Sequence, residues 1–468
     1  MNHYATTLYR LAPVWGQNLM LTGFAALLAR ERYGGRYERF RQLLAETEWR
    51  SRSEIQSYQD ERLRLVIAHA YETVPFYRRR FDERRLKPSD VRTCADLHKV
   101  PVLTRADIRT YFDDLRSRSV SPRTLRKGHT SGTTGTPLTV GYDHDTVCMT
   151  YAVFDRHYDW AGLRMGMSGD RIAVARGNVI VPLEQKHPPF WRHNWRQNQL
   201  LLSSFHLSKA NLPAYFDKLA EFRPSVIDGY PSTLYVLAKY LQNRREVFPL
   251  KAAVTSSETL YDFQREAIEA SFACKVFDYF ALAERTVFSG ECDRHRGHHV
   301  AMEYGAAEVV DGEGLPVPRG TVGQLVGTTL HNFAMPLIRY ATNDRTALRD
   351  ETCPCGRGLE LMDDVTTKAE DVLTLKDGRL ISPSVLTHPF KPLGCIEGSQ
   401  IVQTAPDAVT VRIVPGQGFT QTLADHLVAD LQARLGADVR IGVQIVDRLE
   451  TSATGKFKWV ISHVPLGI

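Results

Sequence analysis

The sequence of 468 residues predicts an α/β protein, with a large N-terminal region of layered sheets and a small α+β domain at the C-terminal end. Three observations support this fold class. The start of the chain is helical in periodicity and rich in arginine, the middle alternates short apolar runs with amphipathic segments, and the pattern changes after about residue 370. Because the chain exceeds the usual size of one domain, we expect two, over residues 1–370 and 371–468.

The first ~120 residues are predicted to be mainly helical. Residues 19–29 are apolar but shorter than the roughly 20 residues that span a bilayer, so we expect a packed helix and no transmembrane segment. Within residues 61–74, apolar side chains follow the spacing of one helix face: Leu63, Val66, Ile67, Ala70, Tyr71 and Val74.

From about residue 125 to 350, strands are predicted at residues 171–175, 225–227 and 252–254, each leading into a polar or glycine-containing turn. A helix between two such strands is expected to bury Phe263, Ala267, Ile268 and Phe272 on one face. This alternation predicts parallel α/β layers, in which ligand-binding loops follow the carboxyl ends of strands.

The C-terminal region has a different pattern. Residues 408–414 and 440–446 alternate as strands, and they flank a helix with leucines on one face: Leu423, Leu427, Leu431 and Leu435. Two strands and a helix within about 100 residues indicate a small separate α+β unit.

Composition excludes several classes of protein. A hydrophobic content of 43% and a charged content of 24% are typical of a soluble globular chain. The net charge of +6 comes largely from arginine runs such as residues 78–80, which indicate a solvated face, so we expect no nucleic-acid partner. Seven cysteines without a regular framework indicate a reducing, cytoplasmic location. The oligomeric state stays open.

Residues 129–137 form the most informative segment, since seven of the nine are glycine, serine or threonine. Glycines let backbone N–H groups approach a ligand, and hydroxyls add further donors, which suits a polyphosphate. No Gly-Lys-Ser/Thr follows, so this is not the P-loop of kinase-like NTPases; a solvated linker is the alternative. The candidate phosphate-binding residues are Thr130, Ser131, Gly132, Thr133, Thr134 and Gly135.

Four further motifs follow in order, at residues 256–258, 278–284, 336–344 and 454–458. With the loop, they make the chain similar to the adenylate-forming superfamily of acyl-CoA synthetases. Within this superfamily, the chain most resembles the phenylacetate–CoA ligase-like branch. Residues 11–18 also resemble a sub-branch that is found with capsule and polysaccharide genes.

The resemblance implies activation of a carboxylic acid through an acyl-adenylate, with ATP and Mg²⁺ as cofactors and coenzyme A as the acceptor. It implies a magnesium-binding Glu284, an Asp344 that accepts hydrogen bonds from the ribose hydroxyls, and a catalytic Lys456 on a mobile lid. Where the family usually has Gly-Arg at the hinge, this chain has Thr367–Lys368, and Asp371 matches the hinge residue. The implied nucleotide contacts also include Ser257, Glu258, Asp278, Tyr279 and Lys368.

A second constellation is independent of the nucleotide. Residues 291–299 contain one cysteine and three histidines, and a Cys-x-Cys-Gly knuckle follows at residues 353–356. Three cysteines and a histidine are typical of structural zinc, whereas reduced thiols and surface histidines are the alternative. Relatives of this branch favour His299 as the fourth ligand, with His298 and His295 as the other candidates. The predicted zinc ligands are Cys292, His299, Cys353 and Cys355.

The acid pocket is predicted near residues 228–232, where an apolar strand ends in a Gly-Tyr-Pro turn. Its candidate walls are Tyr230, Phe280 and Ala281, which suit an apolar or aryl acid, although Tyr230 could instead pack in the core. The expected function is an acyl- or aryl-CoA ligase. An adenylate-forming ligase with an amine or sugar acceptor is the alternative, and a zinc-braced scaffold without turnover is a third reading that the intact Glu284, Asp344 and Lys456 disfavour.

Overall fold

The computed structural model describes residues 8–129, 138–365, 372–381, 383–390, 393, 395–449 and 459–465, apart from the side chains of Asn343 and Ser384. Its helices are α1 Val14–Arg32, α2 Tyr37–Thr47, α3 Arg52–Thr73, α4 Pro75–Glu83, α5 Arg105–Thr110, α6 His144–Trp160, α7 Leu212–Phe222, α8 Pro231–Arg244, α9 Asp262–Phe272, α10 Pro383–Leu386 and α11 Gln421–Leu435. Its strands are β1 Arg126–His129, β2 Thr139–Tyr142, β3 Ile172–Ala175, β4 Trp191–Asn194, β5 Gln199–Leu202, β6 Val226–Gly229, β7 Ala252–Ser256, β8 Lys275–Ala281, β9 Phe288–Glu291, β10 His298–Val300, β11 Gly305–Val310, β12 Gly323–Thr329, β13 Tyr340–Thr346, β14 Leu361–Met362, β15 Leu373–Thr374, β16 Leu380–Ile381, β17 Ile396–Ala405, β18 Ala408–Pro415, β19 Arg440–Ile445 and β20 Val460–Ser462.

The centre of the molecule is a nine-stranded sheet with the order β14-β10-β9-β8-β7-β6-β3-β5-β4. Strands β5, β3, β6, β7 and β8 are mutually parallel, whereas β9, β10, β14 and β4 pair antiparallel at the two sides. The parallel strands are short and almost wholly buried, as expected for a sheet covered on both faces. This confirms the α/β fold class and the three predicted strands, which shift by one or two residues at their ends.

Helices cover both faces of this sheet. One face packs against α7, α8 and α9 through a core that includes Leu219, Leu237 and Ile268, and the other packs against α6 through Val153 and Tyr158. The predicted face of α9 is correct for Ala267, Ile268 and Phe272 but wrong for Phe263, whose side chain is 55% exposed. Phe263 lies in the first helical turn, beyond the sheet, and stacks on Tyr261 instead.

Helix α1 covers the edge strand β4, but not through its large apolar residues. The buried side chains are Gln17, Asn18, Ala25 and Ala29, whereas Leu19 and Leu27 are 53% and 64% exposed. Asn18 Oδ1 accepts the backbone N–H of His193 at 2.9 Å, which satisfies a donor that an edge strand leaves open. The predicted helix is therefore packed, but its polar side chains face the sheet edge and its large apolar side chains face outward. Among the described helices, none combines the length and apolarity that a membrane crossing requires.

The C-terminal region has its own four-stranded sheet, ordered β19-β18-β17-β20, with α11 packed on it. Leu427, Leu431 and Leu435 are buried there, as the four-residue spacing predicts. The same core includes Phe205 of the N-terminal region, and Arg379 Nη1 donates to the Phe205 carbonyl at 3.4 Å. The predicted boundary at residue 371 lies outside the described residues and stays a prediction.

Candidate active site

Glu284 lies just after β8 in a buried polar group. Its Oε1 accepts a hydrogen bond of 2.5 Å from the Tyr340 hydroxyl at the start of β13, and the Arg105 guanidinium lies 3.4 Å away. The Glu284 side chain is only 5% exposed, and no described residue donates to its second oxygen. Burial, followed by the charge of Glu284 and the smaller contribution of Asp344, raises the pKa of Tyr340 well above its usual value. The Tyr340 hydroxyl therefore stays protonated and remains a hydrogen-bond donor to Glu284.

These contacts bring together two candidate residues from motifs that are 60 positions apart in the sequence, Glu284 and Asp344. Both lie near Tyr340, since Glu284 accepts its hydroxyl and the charge of Asp344, on the same strand β13, contributes to its raised pKa. A cavity of about 530 Å³ opens beside Arg105 and Arg109, and Glu397 of the C-terminal region lines it as well. The two guanidinium groups suit the charge of a polyphosphate, and Glu284, which does not line the cavity itself, contacts one of them, Arg105.

The turn after β7 holds the second group of candidate residues. Ser257 has a φ of 72°, a left-handed conformation that serine rarely adopts. Its neighbour Glu258 accepts the backbone N–H of Ser232 at 3.0 Å, which ties this turn to the start of α8. Strained backbone of this kind is often found at ligand-binding sites.

A buried arginine lies at the carboxyl ends of the parallel strands. Arg176 follows β3, and its Nε and Nη2 donate to Asp228 Oδ1 at 3.0 and 2.5 Å. Its Nη1 and Nη2 also donate to Ser256 Oγ and to the Tyr279 hydroxyl, both at 3.0 Å. The predicted pocket residue Tyr230 lies with its ring centroid 5.8 Å from the guanidinium carbon. Two predicted site residues, Tyr279 and Tyr230, therefore border one charged group.

Asp278 has a different environment. Successive residues of a strand point to opposite faces, so Asp278 points away from Tyr279 and into the other layer. Its Oδ1 accepts from Thr255 Oγ1 at 2.5 Å, and its Oδ2 lies 3.6 Å from His298 Nε2. Burial and the neighbouring Glu291 raise the pKa of Asp278. Its role as a nucleotide contact stays a prediction.

The remaining candidates divide into two sets. Phe280 is partly buried beside the cluster that contains Cys292, and Ala281 is exposed at the end of β8. The following predicted residues lie outside the described part of the chain: Thr130, Ser131, Gly132, Thr133, Thr134, Gly135, Lys368, Asp371 and Lys456.

The three cysteines and one histidine predicted for zinc come together. Cys292, His299, Cys353 and Cys355 each offer a ligand atom, and these atoms lie within 4.8 Å of one another. Cys292 Sγ is 3.7 Å from Cys353 Sγ, and Cys355 Sγ is 3.4 Å from His299 Nε2. Tetrahedral zinc with Zn–S of about 2.3 Å and Zn–N of about 2.0 Å requires edges of about 3.5–3.8 Å. The donor set therefore fits zinc.

Strand geometry explains why His299 is the histidine of this set. His299 pairs with Gly290 across β10 and β9, whereas His298 pairs with Glu291 and faces the opposite layer. His298 accordingly belongs to a different group, with Glu291 and Asp364. Burial opposes ionisation of Cys355, but the hydrogen bond with His299 prevails and lowers its pKa to about 6.

Sequence reasoning missed Arg105, Tyr340 and Arg176. Tyr340 follows directly on Arg339 inside a predicted motif, and Arg176 follows directly on the predicted strand of residues 171–175. A charged residue at the carboxyl end of an apolar strand was the signal for Arg176, because ligands bind at that edge. No pattern in the sequence indicates Arg105.

Known proteins are similar to this chain in sequence and in fold. A 2-hydroxyisobutyryl-CoA ligase, solved with 2-HIB-AMP and CoA in the thioesterification state, is 20% identical, with 90% of this chain and 92% of that chain covered and a TM-score of 0.57. The phenylacetate-coenzyme A ligase of Thermus thermophilus is 30% identical over 353 residues, which are 71% of this chain and 74% of that protein. Protein CapK of Staphylococcus aureus is 25% identical over 464 residues, 98% of this chain and 99% of that protein. The family model of the CapK C-terminal domain matches residues 373–463.

The fold and these relatives define an adenylate-forming enzyme of the AMP-forming ligase class. Within that class, the chain belongs to the phenylacetate–CoA ligase family.

Proposed function

We propose that this enzyme joins a carboxylic acid to coenzyme A in two steps. In the first step, a carboxylate oxygen attacks the α-phosphorus of ATP, the bond to the β-phosphate breaks, and pyrophosphate leaves. In the second step, the thiol of coenzyme A attacks the acyl carbon, the C–O bond to AMP breaks, and the thiol proton goes to solvent. The observation that carries this proposal is the buried Glu284, held by Tyr340 beside Arg105, in a chain of this family.

Three described residues would each contribute a different contact to the adenylation step. Glu284 would hold Mg²⁺, since its second oxygen is without a described donor and a carboxylate suits this hard cation. Arg105 would lie against the phosphate charge, and Asp344 would accept the ribose hydroxyls. Bound Mg²⁺ would neutralise charge on the phosphates and so assist the departure of pyrophosphate.

The predicted residues outside the described part complete this proposal. The hydroxyls and amides of residues 130–135 would bind the phosphate tail. Lys456 would stabilise the charge that develops between the carboxylate and the α-phosphate. Lys368 would be a weaker nucleotide contact, because lysine lacks the bidentate fork of arginine.

We also propose that Cys292, His299, Cys353 and Cys355 bind structural zinc. Four protein ligands leave no open position, so this metal would brace the knuckle against β9 and β10 and take no part in the chemistry. All seven cysteines are unpaired, which supports a reducing, cytoplasmic location.

A different acceptor is the second candidate function. The match to protein CapK covers 98% of this chain, whereas the match to the Thermus ligase covers 71%. The CapK C-terminal model also spans residues 373–463, the part that meets the acceptor in a lid mechanism. An amine or sugar acceptor in polysaccharide biosynthesis is therefore the alternative to coenzyme A.

The test is acid-dependent exchange of labelled pyrophosphate into ATP, over aryl, fatty and hydroxy acids. Exchange with any acid supports the adenylation step, and no exchange with any acid in the presence of Mg²⁺ would contradict it. AMP release is then compared with coenzyme A, with amines and with sugars as acceptors. Release that depends on the thiol supports the ligase, and release that depends on an amine or sugar supports the alternative.

A further inference from the structure

The predicted acid pocket contains a cation that an apolar substrate does not need. Arg176 lies between the predicted pocket wall Tyr230 and the Ser256–Ser257 turn, on the side where the four strands β3, β6, β7 and β8 end. Its side chain is 19% exposed, so the guanidinium is largely dehydrated but retains one accessible side.

The charge of Arg176 is balanced by Asp228, which is 9% exposed and also accepts the Tyr158 hydroxyl at 2.7 Å. Burial lowers the pKa of Arg176, but Asp228 and the surrounding tyrosines raise it more, so the guanidinium stays charged. A buried ion pair rarely stabilises a fold more than apolar side chains of equal volume do. Packing alone therefore gives no reason for this pair at the ligand-binding edge of the sheet.

The hydrogen bonds of Arg176 leave one donor for a ligand. A guanidinium group has five N–H bonds, one on Nε and two on each terminal nitrogen. Asp228 and Tyr279 take those of Nε and Nη2, and Ser256 takes one of Nη1. Among the described residues, the second hydrogen of Nη1 has no acceptor.

We propose that Arg176 is a specificity residue, and that the acid has a second oxygen acceptor, a hydroxyl, carbonyl or carboxylate, which binds its Nη1. This inference rests on the proposed adenylation and names the class of acid. It replaces the apolar or aryl acid that the aromatic walls alone suggest. Tyr230 lies beside the guanidinium, the Tyr279 hydroxyl accepts from its Nη2, and Asp228 balances its charge.

The first measurement compares matched acids in pyrophosphate exchange: butyric with 3-hydroxybutyric and succinic acid, and phenylacetic with 4-hydroxyphenylacetic acid. We expect kcat/KM to be at least ~10-fold higher for an oxygen-bearing member, because a site built for a hydrogen bond rejects the analogue that lacks it. A preference for the hydroxy acids identifies a hydroxyl as the acceptor, and a preference for succinic acid identifies a carboxylate. A preference for the plain member of every pair overturns the inference and leaves adenylation intact.

The second measurement uses variants of the pair. Arg176→Met alone leaves Asp228 buried and unpaired, so the double variant Arg176→Met/Asp228→Asn keeps the site neutral and folded. Arg171→Met, one strand length away at the amino end of β3, is the matched control. We expect the double variant to lose its preference, with the oxygen-bearing acid falling ~10-fold or more and the plain acid changing little. An equal fall for both acids, at an unchanged melting temperature, identifies a brace and overturns the inference.

Discussion

At the scale of single residues, Glu284 is the carboxylate that we propose for Mg²⁺ binding. The Tyr340 hydroxyl fixes one of its oxygens at 2.5 Å, and the raised pKa of Tyr340 keeps that donor protonated. The Arg105 guanidinium lies 3.4 Å from the same oxygen. We therefore propose that Tyr340 fixes one carboxylate oxygen and that the other oxygen binds Mg²⁺.

Replacement of Glu284 tests this division. We expect Glu284→Gln to reduce kcat/KM for pyrophosphate exchange by about 100-fold or more and to raise the Mg²⁺ concentration for half-maximal rate, since an amide is a poor magnesium ligand. Tyr340→Phe should give a smaller loss of the same kind. Glu266→Gln, on the exposed side of α9, is the control. Normal magnesium dependence in Glu284→Gln would contradict the assignment.

His206 provides a pH dependence of stability. It is 3% exposed and stacked on Phe190, and burial, with a contribution from Arg379, lowers its pKa to about 4. The unfolded chain takes up the proton near pH 6.5, before the folded chain does, so the free energy of unfolding falls as the pH drops from 6.5 to about 4. The contribution amounts to about 3 kcal/mol.

Urea denaturation at pH 7.5 and pH 4.5 measures this effect. The wild type should lose more stability between the two pH values than His206→Gln, which carries no proton. His187→Gln, at an exposed position, should behave as the wild type. Equal losses in wild type and His206→Gln would show that His206 is not the group that titrates.

At the scale of elements, α1 shows why polarity alone does not predict which helix face is buried. A helix that covers a sheet edge has to satisfy the open N–H groups of that edge, so Asn18 faces inward, and Gln17 beside it accepts the Arg192 side chain. Leu19 and Leu27 then face outward, because the edge offers no apolar layer to cover them. The predicted packed helix is present, but its buried face is set by hydrogen bonding.

The knuckle at residues 353–356 gives the prediction at this scale. If zinc binds it, purified protein should hold about one zinc per chain, and chelation should lower the melting temperature by several degrees. Cys353→Ser should give the same loss. Cys274→Ser, a thiol outside the cluster, should retain both zinc and melting temperature. Metal analysis and calorimetry measure the two quantities, and a zinc-free preparation with unchanged melting contradicts the site.

At the scale of the whole molecule, the sequence predicted the parts that depend on local pattern. Strands β3, β6 and β7 were found to within two residues, because short apolar runs between turns mark buried parallel strands. The Cys/His set was found because its spacing is short on each side and because the resemblance to the family favoured His299 over His298 and His295. The pair of Arg176 and Asp228 was not, since its members are 52 positions apart and meet only when β3 and β6 pair. The predicted burial of Phe263 was wrong for a similar reason, because the extent of the sheet beneath α9 is set by the tertiary structure.

The last prediction concerns the joint action of the two regions. The C-terminal core already includes Phe205 of the N-terminal region, and Glu397 lines the same cavity as Arg105, so the two regions meet beside the proposed phosphate site. If Lys456 completes the adenylation site from the C-terminal side, Lys456→Ala should lower pyrophosphate exchange by about 100–1,000-fold, as removal of one charge-stabilising group does in other enzymes. The melting temperature should stay the same.

A half-reaction separates this effect from damage to the fold. With a chemically prepared acyl-adenylate, Lys456→Ala should still transfer the acyl group to the acceptor, because the lysine serves only the first step. Lys458→Ala, two residues further on, is the matched control and should retain both steps. If Lys456→Ala instead exchanges pyrophosphate at the normal rate, the charge in the adenylation step comes from the described cations Arg105 and Arg109, and the C-terminal region acts in acyl transfer alone.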